Sequence, residues 1–240
     1  MRGSSVLPLF VFALAGGSLM AQSPGSTPAQ VQLTDLAVGS GRIVYTFDQP
    51  ELQPPHYTIT LEENGEGRFV SKAGPPPADD TDEVYPAPMD REIHVDPALL
   101  AQLFQYARAH QYFNRDCNRS GRRAFTGNKT ITYVGPDGRG SCAFVWAADP
   151  ALQQLSERLN AVAFTLEIGR RLDVEVHHYP LGLDAELESL ENAVQEQQAS
   201  DLPNIAPELQ YIASDQDVMN RVRKRAMALL SQCEDPQRNN

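Results

Sequence analysis

Apolar and polar positions alternate with period two in several stretches of the chain, and each such stretch predicts a strand with one buried face. Ile43 to Phe47 is β-branched and aromatic, and across His56 to Leu61 the apolar Tyr57, Ile59 and Leu61 alternate with Thr58 and Thr60. Asn64-Gly65 supplies turn chemistry, so Tyr57 to Ser71 is expected to fold as a β-hairpin. Glu92 to Val95 reads as a further strand with Ile93 and Val95 on one face. Lys129 to Val134 and Ser141 to Trp146 read as a strand pair joined by Gly135-Pro136-Asp137-Gly138. Lys72 to Met89 contains Pro75, Pro76, Pro77, Pro86 and Pro88 beside Asp79, Asp80, Asp82 and Glu83. Proline denies backbone donors to a ladder, and the stretch is expected to be an exposed acidic loop.

The spacing changes to the helical one after each Asp-Pro pair. Asp96 can cap free amides and Pro97 suits the first helical position. Leu99, Leu100, Leu103, Phe104 and Ala107 then form one apolar stripe, and the helix is expected to end near Tyr112-Phe113. Asp149-Pro150 repeats the device before Leu152, Leu155, Leu159, Val162 and Leu166, with two continuations open at Val174 and Val176: more helix, or a short strand. Leu183, Leu187, Leu190 and Val194 mark a third helix, and Pro203 to Ala213 and Val218 to Gln232 two shorter ones. The expected fold is α+β. A mostly antiparallel sheet arises in the order hairpin, strand, helix, two strands, helix, and an all-α tail follows. The expected spans are a signal peptide over 1–21, a flexible leader over 22–40, an α+β domain over 41–180, a helical tail over 181–234 and a disordered end over 235–240.

The start of the chain sets the expected compartment. Arg2 precedes an apolar run from Val6 to Leu14, followed by small residues up to Ala21, which is the pattern of a secretory signal peptide. The run is shorter than the roughly 20 residues a spanning helix needs. Gln22, not cysteine, follows Ala21, so the protein is expected in the periplasm or outside the cell without a lipid anchor. Without Arg2 the chain holds 19 Lys plus Arg against 31 Asp plus Glu, a balance that disfavours nucleic acid as a partner.

Export also bears on the cysteines, because thiols in an oxidising compartment tend to pair. Cys117 and Cys142 flank the second strand pair and are the expected disulfide; the alternative is that Cys142 is simply a small buried strand residue. Cys233 is then left over near a helix end.

Candidate chemistry is sparse. His56, His94, His110, His177 and His178 show no metal-ligand spacing, and no Gly-x-Ser-x-Gly elbow occurs. No metal or cofactor is expected. Charge segregation is more informative: Arg115, Arg119, Arg122, Arg123 and Lys129 crowd one connector with only Asp116 against them. Such a patch suits an anion such as a phosphate, a carboxylate polymer or a lipid head group; the alternative is local balance by the acidic loop. A second basic run, Arg221, Arg223, Lys224 and Arg225, has Asp184, Glu186, Glu188 and Glu191 as its expected neutralisers. The leading expectation is a non-enzymatic binding or scaffolding protein whose partner is another protein or an anionic envelope component. The alternatives are a periplasmic hydrolase or transferase built around His94, His110 or His177, and an inhibitor of another envelope enzyme acting through the acidic loop.

Two resemblances accompany this reading. "HYTITLEENGEGRFVSK", "DPALLAQLFQYARAHQYF" and "NKTITYVGPDGRGSCAFVW" make residues 43–170 resemble a widespread family of small exported bacterial α+β domains of unknown function. That resemblance implies architecture and export but no activity. "LPNIAPELQYIASDQDVMNRVRKRAMALL", residues 202–230, resembles one HEAT-type helical hairpin, which implies a two-helix unit packed on its neighbours.

Overall fold

The structure, a computed structural model, describes residues 40–73, 87–121 and 124–234. The expected signal peptide, nearly all of the leader, most of the acidic loop, Arg122, Arg123 and the last six residues lie outside these ranges. Among the described residues no helix is long and apolar enough to cross a membrane.

Period-two alternation does produce the sheet. Strands β1 (Arg42–Asp48), β2 (His56–Glu62), β3 (Gly67–Ser71), β4 (Met89–Ile93), β5 (Asn128–Gly135) and β6 (Gly138–Phe144) form one antiparallel sheet in the order β4-β3-β2-β1-β5-β6. β4 starts at Met89, inside the stretch expected as loop, and ends at Ile93, two residues short of the expected Val95. The register places Thr46 opposite both Thr58 and Thr130, so threonines gather on the open face. Ile43, Tyr45, Tyr57, Ile59, Phe69, Ile131, Tyr133 and Phe144 turn to the other face and are buried. Each such side chain contributes about 1.5–3 kcal/mol on burial.

Helices α1 (Pro97–Ala109) and α2 (Pro150–His178) cover that face, each opened by its aspartate. Asp96 accepts from the Ala98 amide at 3.0 Å and Asp149 from the Ala151 amide at 2.9 Å. Tyr45 and Tyr57 both donate to Asn160 Oδ1 on α2, at 2.7 and 2.8 Å, which satisfies two phenols inside the core. α1 stops at Ala109, short of the expected end near Tyr112-Phe113. Gln111, Tyr112 and Phe113 have φ of 56, 55 and 67°, three successive left-handed residues without glycine. Each costs about 1–2 kcal/mol, so packing must hold them. The β5–β6 turn supplies the seat: a Cβ on Gly138 would lie 2.2 Å from the Tyr112 ring, and one on Gly140 2.3 Å from the Tyr112 carbonyl. The Gly-rich hairpin is therefore shaped to receive Tyr112, whose ring also stacks on Tyr133 at 5.2 Å.

The ambiguity at Val174 and Val176 resolves as helix, because α2 runs 29 residues to His178. From Ile168 onward its buried residues belong to a second core, shared with α3 (Leu183–Gln195), α4 (Ala206–Ser214) and α5 (Asn220–Glu234). Gly169 permits the close approach, since a Cβ there would lie 2.3 Å from Ile205. The expected neutralisation of the second basic run is present for two of its four cations: Arg225 pairs with Asp184, Glu188 and Glu191, and Arg221 with Asp184, whereas Arg223 Nε is buried without a hydrogen-bond partner among the described residues. Glu186 instead pairs with Arg171 of α2.

The tail is tied to the sheet end by polar contacts. Asn204 accepts from the His94 amide at 2.8 Å and donates to the His94 carbonyl at 2.7 Å, as a pairing strand would. Asp201 Oδ1 accepts from the Asp96 amide, and Arg91 bridges to Glu208. Burial raises the Asp201 carboxyl above the usual range, outweighing its hydrogen bonds from Asp96 and Ser200. A carboxyl with a raised folded value costs stability once ionised, so the penalty is present at neutral pH and disappears as pH falls through that value. Asp201 is also left-handed, at φ 56°, a conformation asparagine tolerates. Asp201→Asn should therefore keep or raise the melting temperature at pH 7 and narrow the difference between pH 7 and pH 5; a marked loss in a thermal melt would contradict this.

Candidate functional site

The connector between α1 and β5 is built around the expected disulfide. Cys117 and Cys142 are bonded, their Cα atoms 5.8 Å apart, and both are buried. The chain on either side of Cys117 is then laid along the segment that follows β6. The Ala148 amide donates to the Cys117 carbonyl at 2.8 Å, the Val145 amide to Asn118 Oδ1 at 3.1 Å and the Arg119 amide to the Trp146 carbonyl at 2.7 Å. Asn118 and Ala147 form an isolated antiparallel bridge. The returning limb docks on the same segment, with Trp146 Nε1 donating to the Ala124 carbonyl at 2.9 Å. Both limbs thus hang on Val145–Ala147, whose own start of α2 is fixed by the Ala147 amide on Gln153.

The structure divides the cations of this stretch. Arg115 is exposed but is paired in a three-membered network: it donates to Tyr106 Oη at 2.6 Å and to Asp149 Oδ2 at 2.9 Å, while Tyr106 donates to the same Oδ2 at 2.8 Å. Burial pushes the Asp149 carboxyl up, but Tyr106 and Arg115 pull it further down, so the net shift is below the ordinary value. Burial likewise raises the Tyr106 phenol, which stays neutral. Lys129 is not part of an exposed patch at all. It is 3 % exposed, and its ammonium donates to the carbonyls of Val145, Thr126 and Gly127 and to Thr126 Oγ1, 2.9–3.5 Å away. Position 129 shares its parity with Ile131 and Tyr133, so alternation alone carries this signal. Arg119 remains exposed, with Arg122 and Arg123 close to it in sequence but outside the described residues. Phe125 is 54 % exposed beside them in sequence.

The Asp149 network makes an acid-side prediction. A depressed carboxyl contributes stability in full above its unfolded value, about 3.9, and that contribution is lost as pH falls through the lower folded value. Titration from pH 7 to below pH 3 should therefore perturb the emission of Trp146, the one tryptophan of the chain, in step with release of Arg115. Asp149→Asn should show the perturbed emission already at pH 7; an emission maximum identical to that of the wild type would contradict the network's role.

Other concave or titratable places are less developed. A groove of about 780 Å³ runs along α1 past Leu100, Phe104 and Gln105, with Glu63 and Arg108 at one end. Arg108 is consumed there by Glu63 and Asp137, and Tyr133 Oη donates to Asp137, its own phenol raised to about 12 chiefly by burial. A cleft of about 230 Å³ between α2 and α4 holds His177, whose Nδ1 lies 2.7 Å from the Asp173 carbonyl and 3.9 Å from its carboxylate, and whose ring stacks on Tyr211. His110 stacks on Tyr106 at the end of α1, and His94 is engaged through its backbone by Asn204. His56 pairs with Asp48 at 2.7 Å on the open sheet face. Among the described residues no cluster of three or more His, Cys, Asp or Glu is arranged to hold a metal. Neither a protein-family model nor a curated protein sequence matches the chain.

Proposed function

We propose that this is an exported protein that binds an anionic, phosphate-bearing component of the cell envelope through the connector between α1 and β5. The observation that carries this reading is the attachment of both connector limbs to Val145–Ala147, the Cys117 limb also through the disulfide, while Arg119 and Phe125 stay exposed. Limbs anchored in this way, on the described residues either side of 122–123, lose little conformational entropy on binding, and guanidinium groups suit planar, multidentate oxyanions. Charge contrast adds selectivity, because the rest of a strongly acidic protein repels anions and leaves the connector as the approach. The hydrolase reading draws less support: His177 lies in a small cleft where Glu208 is already held by Arg91, and His56 with Asp48 lies outside both cavities. The inhibitor reading rests on the Lys72–Met89 loop, most of which is outside the described residues.

The test compares the mature wild type with an Arg119→Gln, Arg122→Gln, Arg123→Gln variant. Co-sedimentation is measured with phosphatidylglycerol vesicles and phosphatidylcholine vesicles, and inorganic polyphosphate is titrated separately. The expected result is binding to at least one phosphate-bearing anionic probe, weakened about tenfold or more in the variant, with phosphatidylcholine ignored. The vesicle and polyphosphate arms separate a lipid head group from a soluble or polymeric phosphate. Equal behaviour of the two proteins, or no binding to either anionic probe, would remove the connector as the binding surface. Export is checked on the natural product, whose mass should correspond to a chain beginning at Gln22.

A further inference from the structure

Lys129 occupies an unusual place for a lysine. Its side chain leaves a strand toward the core, so the ammonium has given up nearly all contact with water. Burying a bare ammonium is prohibitive unless oxygens replace its hydration shell. Here the oxygens are supplied by two chain segments: Thr126 and Gly127 of the returning connector limb, and Val145 after β6. Thr126 Oγ1 also reaches the Val145 carbonyl, at 3.4 Å, and the Phe47 ring lies 5.7 Å from Nζ, its π face closing the cage on the sheet side. Among the described residues no carboxylate bonds this ammonium; Glu157 of α2 acts on it only through space. Without a cation, three carbonyl oxygens would face one another across the cage, which would drive the Thr126–Gly127 limb away from Val145.

We infer that the Lys129 ammonium is the resident cation of an oxygen cage, and that it is the positioning residue that sets the pose of the connector's binding limb, including Phe125. This rests on the binding reading given above and assigns Lys129 a part in it other than direct contact with the anion. The lysine does for the connector what a bound monovalent cation does in a loop of converging carbonyls, with the difference that the cation is tethered and cannot be lost. Phe125 sits between the limb's two anchors, the Ala124 carbonyl on Trp146 and the Thr126–Gly127 oxygens on Lys129. Trp146 follows the cage residue Val145 in the chain and its indole holds Ala124 at the other end of the limb, so the state of the cage is read from Trp146 emission with no ligand present.

The experiment uses Lys129→Met, which keeps all but the last atom's reach of the side chain and removes the charge, and Lys129→Ala, which empties the cage. Thr126→Val is a milder third variant that removes one cage oxygen. Far-UV circular dichroism establishes that each is folded. Both lysine variants should shift Trp146 emission and speed amide exchange over residues 124–127 by about tenfold or more relative to the β1–β2 amides, with Thr126→Val changing both in the same direction by less. Millimolar methylammonium should reverse the changes in Lys129→Ala but not in Lys129→Met, whose thioether still fills the space; a purely volumetric role would give the opposite order, with Lys129→Met near wild type. Unchanged emission and exchange in Lys129→Met, or changes in Lys129→Ala that no alkylammonium reverses, would overturn the cage. Both readouts are taken without an anionic probe, so failure of the cage is distinguishable from failure of the connector to bind phosphate.

Discussion

Joint replacement of Cys117 and Cys142 by serine is expected to lower stability by about 3 kcal/mol, from the loop-closure entropy returned to the unfolded chain by a bridge across 25 residues. For a protein of this size that is a fall in melting temperature of roughly 6–12 °C. The loss should be uneven. Cys117 anchors the limb that carries Arg119, and its carbonyl receives the Ala148 amide next to the α2 cap. Amide exchange should therefore accelerate across 115–121 before it does in β1 or β2. Because both cysteines are buried, the wild-type bridge should resist reductant in the native state and open only with denaturant. Equal melting temperatures for the wild type and the double variant would show that the remaining anchors hold the connector unaided.

Replacement of Asn160 by leucine is expected to be as damaging or worse. Its Oδ1 is the acceptor for two phenols, Tyr45 and Tyr57, which burial pushes to pKa values well above their ordinary range and thus keeps as neutral donors. A buried donor left without an acceptor costs about 1–3 kcal/mol, so two orphaned hydroxyls predict a loss of about 2–5 kcal/mol in denaturant unfolding. The mechanism has a separate signature. Adding Tyr45→Phe and Tyr57→Phe to the leucine variant removes the orphans, so the triple variant should recover part of the loss even though each Tyr→Phe change alone destabilises the wild type. Strict additivity of the three changes would locate the cost in packing instead of in the hydrogen bonds.

How far the chain discloses its own fold can be judged from particular residues. Tyr57-Thr58-Ile59-Thr60-Leu61 and Lys129-Thr130-Ile131-Thr132-Tyr133 announce half-buried strands, because one face of an antiparallel sheet is wet and the other dry. The two Asp-Pro pairs announce helix starts, because a capping carboxylate and a residue without an amide proton are what an N-terminus can use. The disulfide is legible for a similar reason, since Cys142 lies in one strand of a local pair and Cys117 in the connector that leads into it. Legibility ends where the cause is a distant contact. Nothing local in Gln111-Tyr112-Phe113 favours a left-handed turn; it exists because Gly138 and Gly140, more than 20 residues later, leave room for Tyr112. Val174 and Val176 look like a strand in isolation but stay helical because Ile168 and Leu172 carry the stripe into the second core.

The candidate site divides in the same way. Its basic composition and disulfide were legible; the sorting of its cations was not, because Arg115 is claimed by Tyr106 and Asp149 and Lys129 by backbone carbonyls. A charge count treats five cations alike, whereas strand parity at position 129 already marks one of them as inward. Fewer cations are left for a ligand than the count suggests.

The most direct test of the connector as binding surface is photo-crosslinking from within it. A benzophenone side chain at Phe125 is compared with the same group at Leu181, which is 85 % exposed in the loop between α2 and α3. Each protein is mixed with phosphatidylglycerol vesicles and with polyphosphate carrying an aliphatic amine tag, whose C–H bonds the benzophenone can attack. Crosslinking to an anionic probe from position 125, suppressed by Arg119→Gln and absent at position 181, is the predicted result. Equal yields from the two positions, or capture at 181 alone, would contradict the assignment of the connector as the binding surface.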